Sequence, residues 1–109
     1  APDLNAHGTL HGGVLLRWVD EAAGMHSRKL TNRVCVTRSM DKIQFFSKAK
    51  AGDIIVIETT LSHIGKTSLR FAVASHEDIS GRSISEVGNI VFVSIDHQGN
   101  KVAHGVKND

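Results

Sequence analysis

A single segment of the chain has helical periodicity, and it precedes four segments that alternate as β-strands do. Apolar residues recur with helical spacing from about Gly13 to about Lys29, and Thr31-Asn32 ends that pattern. The later segments are long and separated by turns, and they predict strands at Arg33–Phe46, Ile54–His63, Thr67–His76 and Ser83–Ile95. This order predicts an α+β domain in which one long helix lies across an antiparallel sheet.

The composition is that of one ordinary globular domain, which we expect to cover residues 1–109. Hydrophobic residues make up 40% of the chain and charged residues 22%, a balance that excludes a disordered chain and a collagen-like repeat. We expect no membrane partner, because no apolar run approaches the roughly 20 residues of a membrane span and no basic-then-apolar leader is seen. The net charge is only +2 and the basic residues are scattered, so we expect no nucleic-acid partner.

Two further features bear on compartment and assembly. Cys35 is the only cysteine and cannot form an internal disulfide, which fits a reducing compartment and favours a cytoplasmic location. The predicted helix is apolar over more of its circumference than a surface helix needs. We therefore expect the sheet to cover one side of the helix and a second subunit to cover another.

Asp20 is the unusual residue of the predicted helix. At 100° per residue it lies at the margin of the apolar arc, between Leu16 and Ala23. Its neighbours on that face are small: Gly13, Gly24 and Ser27. One interpretation is an ion pair with Arg17 or Arg28 on a solvated helix edge. The other is a carboxylate on a face that a ligand can approach closely.

The segment before the helix, residues 5–13, is also unusual. It contains three glycines and two histidines but no capping side chain directly before the first apolar residue. The first N–H groups of the helix, at Gly12 and Gly13, would then be free to meet an oxyanion or a polarised carbonyl. The alternative is that the two glycines serve only a tight turn.

Other candidate sites are weak. No histidine has the spacing of a metal motif, so we expect no metal and no cofactor. Cys35 has no nucleophile motif and is expected to be a small apolar residue of a strand. Gly65-Lys66-Thr67-Ser68 lies between two predicted strands, where a hairpin can present a lysine and two hydroxyls to a phosphate. A plain turn is an equally good interpretation of that segment.

Taken in order, these segments resemble the hotdog-fold acyl-CoA thioesterases, and most closely the cytosolic acyl-CoA hydrolases of the YciA-type branch. The resemblance covers nearly the whole chain, and each segment is weak alone while the ordered set is specific. The matching segments are Asp3-Leu4-Asn5, Leu10-His11-Gly12-Gly13, Trp18–Gly24, Val36–Phe45, Ala51-Gly52-Asp53, Gly65-Lys66-Thr67-Ser68 and Phe92–Asp96 with Gly99. One departure is Ser47-Lys48, which stands where the family usually has a proline.

The resemblance implies a sheet wrapped around a central helix, and a homodimer that assembles further into a trimer of dimers. It also implies a site between subunits, in which Asn5 of one subunit and Asp20 of the other act together. Gly12 and Gly13 would polarise the thioester carbonyl, and Gly65, Lys66, Thr67 and Ser68 would meet the coenzyme A phosphates. The expected activity is hydrolysis of an acyl-CoA thioester to a free acid and coenzyme A. The alternative is a non-catalytic acyl-CoA or acyl-carrier binding module on the same fold.

Overall fold

The structure is a computed structural model, and it describes residues 10–107. One helix, α1 (Gly12–Thr31), is followed by four strands: β1 (Cys35–Phe45), β2 (Ile55–Ile64), β3 (Ser68–Glu77) and β4 (Ser83–Ser94). Every element predicted from the sequence is present, and each end lies within two residues of its expected position. The predicted α+β architecture is confirmed.

The four strands form one antiparallel sheet in the order β1-β4-β3-β2. The chain therefore runs from one edge of the sheet, β1, to the other edge, β2, before β3 and β4 fill the middle. Among the described residues, β1 and β2 each pair with a neighbour on one side only. The edge strands are the places where a sheet of this kind can accept another strand.

The core lies between α1 and the inner face of the sheet. The helix buries a stripe with spacing of four residues: Leu15, Val19, Ala23 and Ser27. Phe71 and Phe92 supply large aromatic rings from the sheet and meet edge to face, with ring centroids 6.0 Å apart. A second, smaller cluster joins Leu15 to Ala49 and Ile84 near the start of the helix.

The small residues of the helix let the sheet approach it. A methyl group at Gly24 would lie 3.5 Å from the ring of Phe92, which is ordinary contact. Ser27 is fully buried, and its hydroxyl donates to the carbonyl of Gly24 at 2.8 Å. The part of the small-residue face at Gly24 and Ser27 is therefore occupied by the sheet rather than by a ligand. At Gly13, in contrast, a methyl group would meet no atom of the described residues within 4 Å.

Apolar side chains remain exposed on and around β1: Val34, Val36, Ile43, Phe45 and Phe46. Met25, on the helix face away from the sheet, is 65% exposed. No helix among residues 10–107 is long and apolar enough to span a bilayer.

Candidate active site

The start of α1 is uncapped, as the sequence predicted. His11 is the N-cap residue and has an extended backbone, and within the described part of the chain its side chain makes no capping hydrogen bond. Its carbonyl accepts the N–H groups of Val14 and Leu15, at 3.1 and 3.2 Å. The N–H groups of Gly12 and Gly13 belong to the first turn, where no intrahelical acceptor exists and the helix dipole is positive.

A cavity of about 290 Å³ opens at this helix start. Its walls are mainly apolar, and the apolar side chains that form them are Leu10, Leu15, Phe45, Ala49 and Ile84, with His11 beside them. Ser47 and Lys48 add polar groups at the same place. The ring of Phe45 packs so closely on Gly12 that a methyl group there would lie 3.2 Å from Cζ. The cavity thus combines the backbone of Gly12, whose N–H has no acceptor within its own helix, with a mainly apolar lining, which suits a carbonyl attached to an apolar chain.

Asp20 lies nearly halfway along α1, half-buried, beside β1. The hydroxyl of Thr37 donates to Oδ1 of Asp20 at 2.5 Å. Arg17 is one of the two arginines that the sequence offered as ion-pair partners of Asp20. Its Nε lies 3.8 Å from Oε1 of Glu21. The hydrogen bond to Thr37 orients the carboxylate and leaves lone pairs for a water or a substrate.

Thr37 has no assigned role in the sequence analysis. Seventeen positions separate it from Asp20, and no local motif signals a contact across that distance. The only sequence signal is its place inside Val36–Phe45, one of the segments that carry the resemblance.

Gly13 and Asp20 do not meet within one chain. Seven residues of helix separate them, which is about 10 Å along the axis at 1.5 Å per residue. A hydrogen bond needs heavy atoms within about 3 Å, so these two groups of one helix cannot both contact the same carbonyl oxygen. Asn5, the third predicted catalytic residue, lies outside the described residues.

The predicted phosphate-binding segment, Gly65–Ser68, forms the connection between β2 and β3. The N–H of Gly65 donates to the carbonyl of Ser68 at 2.9 Å, which closes a tight turn. The N–H of Ser94 donates to the carbonyl of Thr67 at 2.9 Å. Lys66 is exposed at the tip. The turn therefore presents an exposed ammonium group on a backbone that is fixed by hydrogen bonds.

His104 holds the same turn from the C-terminal side, a role that the sequence analysis did not anticipate. The ring is 5% exposed, and its Nδ1 accepts the N–H of Val106 at 2.9 Å. The other ring nitrogen, Nε2, therefore carries the hydrogen and donates to the carbonyl of Ser68 at 3.0 Å. His104 had been considered with the other histidines as a metal ligand. Among residues 10–107 no group of three or more His, Cys, Asp and Glu side chains could hold a metal ion.

The comparison with known families decides the class of this site. Residues 7–78, which include the helix start and Asp20, match the thioesterase superfamily. The chain belongs to the thioesterase superfamily. That match covers most of the chain, including α1 and the first three strands.

Similar proteins agree with this assignment. A Bacillus subtilis protein named as an uncharacterized acyl-CoA thioester hydrolase, YkhA, is 27% identical over 103 residues, which cover 92% of this chain and 60% of that protein. A hexameric hotdog fold thioesterase of Campylobacter jejuni, Cj0915, superimposes with a TM-score of 0.83 at 28% identity, over 95% of this chain and 83% of that one. An acyl-CoA hydrolase of Staphylococcus aureus, solved in complex with butyryl coenzyme A, superimposes with a TM-score of 0.82 at 28% identity. That alignment covers 94% of this chain and 62% of the other.

These likenesses establish the hotdog fold, in which the helix lies against the curved sheet as the resemblance implied. The chain spans 60% of the length of the Bacillus protein that it matches.

Proposed function

We propose that this protein is an acyl-CoA thioesterase, which hydrolyses an acyl-CoA thioester to a free acid and coenzyme A. The observation that carries the proposal is the uncapped start of α1, where Gly12 lines an apolar cavity and Gly13 follows it in the first turn, in a chain of the thioesterase superfamily. Backbone N–H groups at a positive helix end stabilise the oxyanion of an acyl-transfer intermediate, and one such donor is worth about 10²–10³ in rate.

In the proposed mechanism, the N–H of Gly13, assisted by Gly12, polarises the thioester carbonyl. Asp20 either removes a proton from an attacking water or attacks the carbonyl itself to form an anhydride that water then hydrolyses. In both routes the C–S bond breaks and coenzyme A leaves as the thiolate, which takes up the proton that the water releases. The Thr37 hydroxyl holds the carboxylate in one orientation. We assign Asn5 to orient the water or the carbonyl.

We propose that the two half-sites come together across a dimer in which β1 pairs edge to edge with β1 of a second copy. Three features support this pairing. The strand is an edge of the sheet among the described residues, and exposed apolar side chains accompany it. The two half-sites touch opposite ends of β1, with Thr37 at Asp20 and Phe45 at Gly12. An antiparallel two-fold pairing centred near the middle of β1 would bring the Thr37 end of one copy to the Phe45 end of the other.

The dimer would then assemble into a trimer of dimers. The Campylobacter thioesterase that shares this fold is hexameric, which supports the same assembly here. We also place this chain in the YciA-type branch, as a single hotdog domain. A cytoplasmic location is consistent with the free thiol of Cys35.

For the coenzyme A end of the substrate, we propose the Gly65–Ser68 turn. Lys66 is exposed, and the backbone around it is held by Gly65, Ser94 and His104. An ammonium group on a fixed turn can pair with a phosphate without ordering the loop first. The Staphylococcus hydrolase binds coenzyme A, which supports a nucleotide-bearing substrate for this chain.

The proposed function is tested by release of free thiol from a panel of acyl-CoA thioesters that range from acetyl to palmitoyl. We expect turnover of at least one member at a rate well above the uncatalysed reaction, with the same rate in the presence of a metal chelator. Binding of acyl-CoA without turnover of any member would favour the alternative, a non-catalytic acyl-CoA binding module.

A further inference from the structure

One arginine fastens the β1–β2 connection to the β3–β4 turn. The Nε–H of Arg82 donates to the hydroxyl of Ser47 at 3.1 Å. Its Nη2 donates to the carbonyl of Lys48 at 3.1 Å and to Oδ2 of Asp53 at 2.8 Å. A single guanidinium therefore binds three acceptors spread over residues 47–53. No role proposed above involves this side chain.

The acceptors are themselves held in place. The hydroxyl of Ser47 donates to the carbonyl of Ser83 at 2.6 Å, which aims its lone pairs at Arg82. The backbone N–H of Lys50 donates to Oδ2 of Asp53 at 2.9 Å. This backbone hydrogen bond, followed by the one from Arg82, lowers the pKa of the Asp53 carboxyl below its ordinary value. Asp53 is therefore charged at neutral pH and remains a strong acceptor.

The β3–β4 turn that carries Arg82 is also held in place by hydrogen bonds. Glu77 is 5% exposed, and its carboxylate accepts the backbone N–H groups of Ser80 at 2.9 Å and of Ile54 at 3.2 Å. The Ser80 N–H makes the largest contribution to the pKa of Glu77, which lies at about 2 although burial opposes the shift. Arg82 thus projects from a turn whose backbone does not need to be ordered by the guanidinium contacts.

The far side of the same connection reaches the helix start. The carbonyl of Ala49 accepts the N–H of Leu10 at 2.8 Å, and Leu10 directly precedes His11 and the two donor glycines. Ala49 is 3% exposed and packs with Leu15 and Ile84. Residues 47–49 also line the cavity at the helix start. Displacement of this connection would therefore move both the cavity wall and the residue from which the helix begins.

We propose that Arg82 is a positioning residue for thioester hydrolysis, which acts by holding residues 47–53 against the helix start. This inference rests on the proposed function, since the groups it positions are the Gly12 and Gly13 donors. Lysine cannot replace arginine here, because a guanidinium presents several N–H groups in a fixed plane and an ammonium does not reach the three acceptors together.

The test compares Arg82→Ala and Arg82→Lys with the wild-type protein, at a temperature well below the melting temperature of each. We expect kcat for acyl-CoA to fall by about 10- to 100-fold in both variants, since a misplacement of about 1 Å can cost that much. We expect KM to change far less, because the turn that we propose for coenzyme A, Gly65–Ser68, lies elsewhere in the fold. Lys29→Ala, which removes an exposed cation from the last turn of α1, is the matched control and should retain wild-type kcat.

A second readout does not depend on activity. Hydrogen exchange followed by mass spectrometry should show faster exchange in the Arg82 variants for the peptide that contains Leu10, Val14 and Leu15, whose N–H groups are hydrogen-bonded at the helix start. Should Arg82→Ala fail to fold, Asp53→Asn removes the charge and keeps an oxygen for Lys50, and it should show the same two effects more weakly.

The outcomes separate the two proposals. An inactive wild-type protein whose Arg82 variants still exchange faster at the helix start would overturn the thioesterase assignment and leave the positioning contact intact. An active wild-type protein whose folded Arg82→Ala variant keeps both kcat and slow exchange would overturn the positioning role. Full retention of kcat in Arg82→Lys would also overturn it, because a charge alone would then suffice.

Discussion

The two halves of the candidate site are built in different ways. The helix start is enclosed by the β1–β2 connection, by Phe45 and by Ile84, and hydrogen bonds from Arg82 and Leu10 hold that enclosure. Asp20 lies farther along the same helix, half-buried, and its carboxylate accepts a hydrogen bond from the Thr37 hydroxyl.

This difference fits the separate roles that we propose for the helix start and for Asp20. Donors that stabilise an oxyanion must be rigid before the reaction, because their benefit comes from needing no reorganisation. A carboxylate that takes a proton or attacks a carbonyl must reach its target, which here would belong to the other subunit. In the proposed mechanism, one chain therefore supplies a preformed oxyanion-binding half at the helix start and an acid–base half at Asp20 that is completed by the second subunit.

The largest expected effect is the loss of activity in variants of the two proposed catalytic side chains, Asp20 and Asn5. Asp20→Ala should lose at least about 100-fold in kcat, which is typical of a positioned base, while Glu21→Ala, one residue along the helix, should lose little. Asn5→Ala should likewise lose most of its activity. Both Asp20→Ala and Asn5→Ala should keep the wild-type oligomeric state.

Subunit exchange in a mixture of these two inactive variants tests whether one site draws on both subunits. Half of the random dimers are mixed, and each mixed dimer carries one site with both residues intact. Activity should return to about a quarter of the wild-type value if each site draws on two subunits of a two-fold dimer. Exchange demonstrated by mass spectrometry without any return of activity would show that the shared-site arrangement is wrong.

An intermediate effect is expected from Gly13→Ala, which tests the enclosed half. The added methyl group has open space within 4 Å of the described residues, so the fold should tolerate it and the melting temperature should not fall. The methyl would instead occupy the place where a thioester approaches the N–H group, and kcat/KM should fall by about 10-fold. Unchanged kcat/KM would mean that no substrate atom comes close to Gly13.

The smallest effect is expected from Lys66→Ala, at the turn that lies outside both halves. This variant should raise KM for acyl-CoA several-fold, since an exposed ion pair contributes only about 0.2–1 kcal/mol. KM for a short acyl thioester without the nucleotide should not change. Equal effects on the two substrates would show that Lys66 does not contact the nucleotide.

The sequence predicted the fold well because the fold depends on periodicity. Alternation along the four strand segments and the single helical repeat are local properties, so the element boundaries followed from neighbours in the chain. The uncapped helix start was equally local, because it is the absence of a capping side chain beside Gly12 and Gly13.

The contacts that shape the site were not local. Thr37 and Asp20 are 17 positions apart, and Arg82 and Lys48 are 34 apart. His104 and Ser68 are separated by 36 positions. None of these pairs has a motif, and the sequence assigned no role to Thr37, Arg82 or His104 in the site.

The amino-acid sequence by itself determined which groups are available: N–H donors at the uncapped helix start of Gly12 and Gly13, a carboxylate at Asp20, and a lysine at the Lys66 turn. Only the tertiary structure decided what each group faces. The small residues at Gly24 and Ser27 face the sheet, Gly13 faces open space, and Asp20 faces Thr37. The physical reason is that periodicity specifies a direction around a helix or strand, whereas the partner in that direction depends on how distant segments pack.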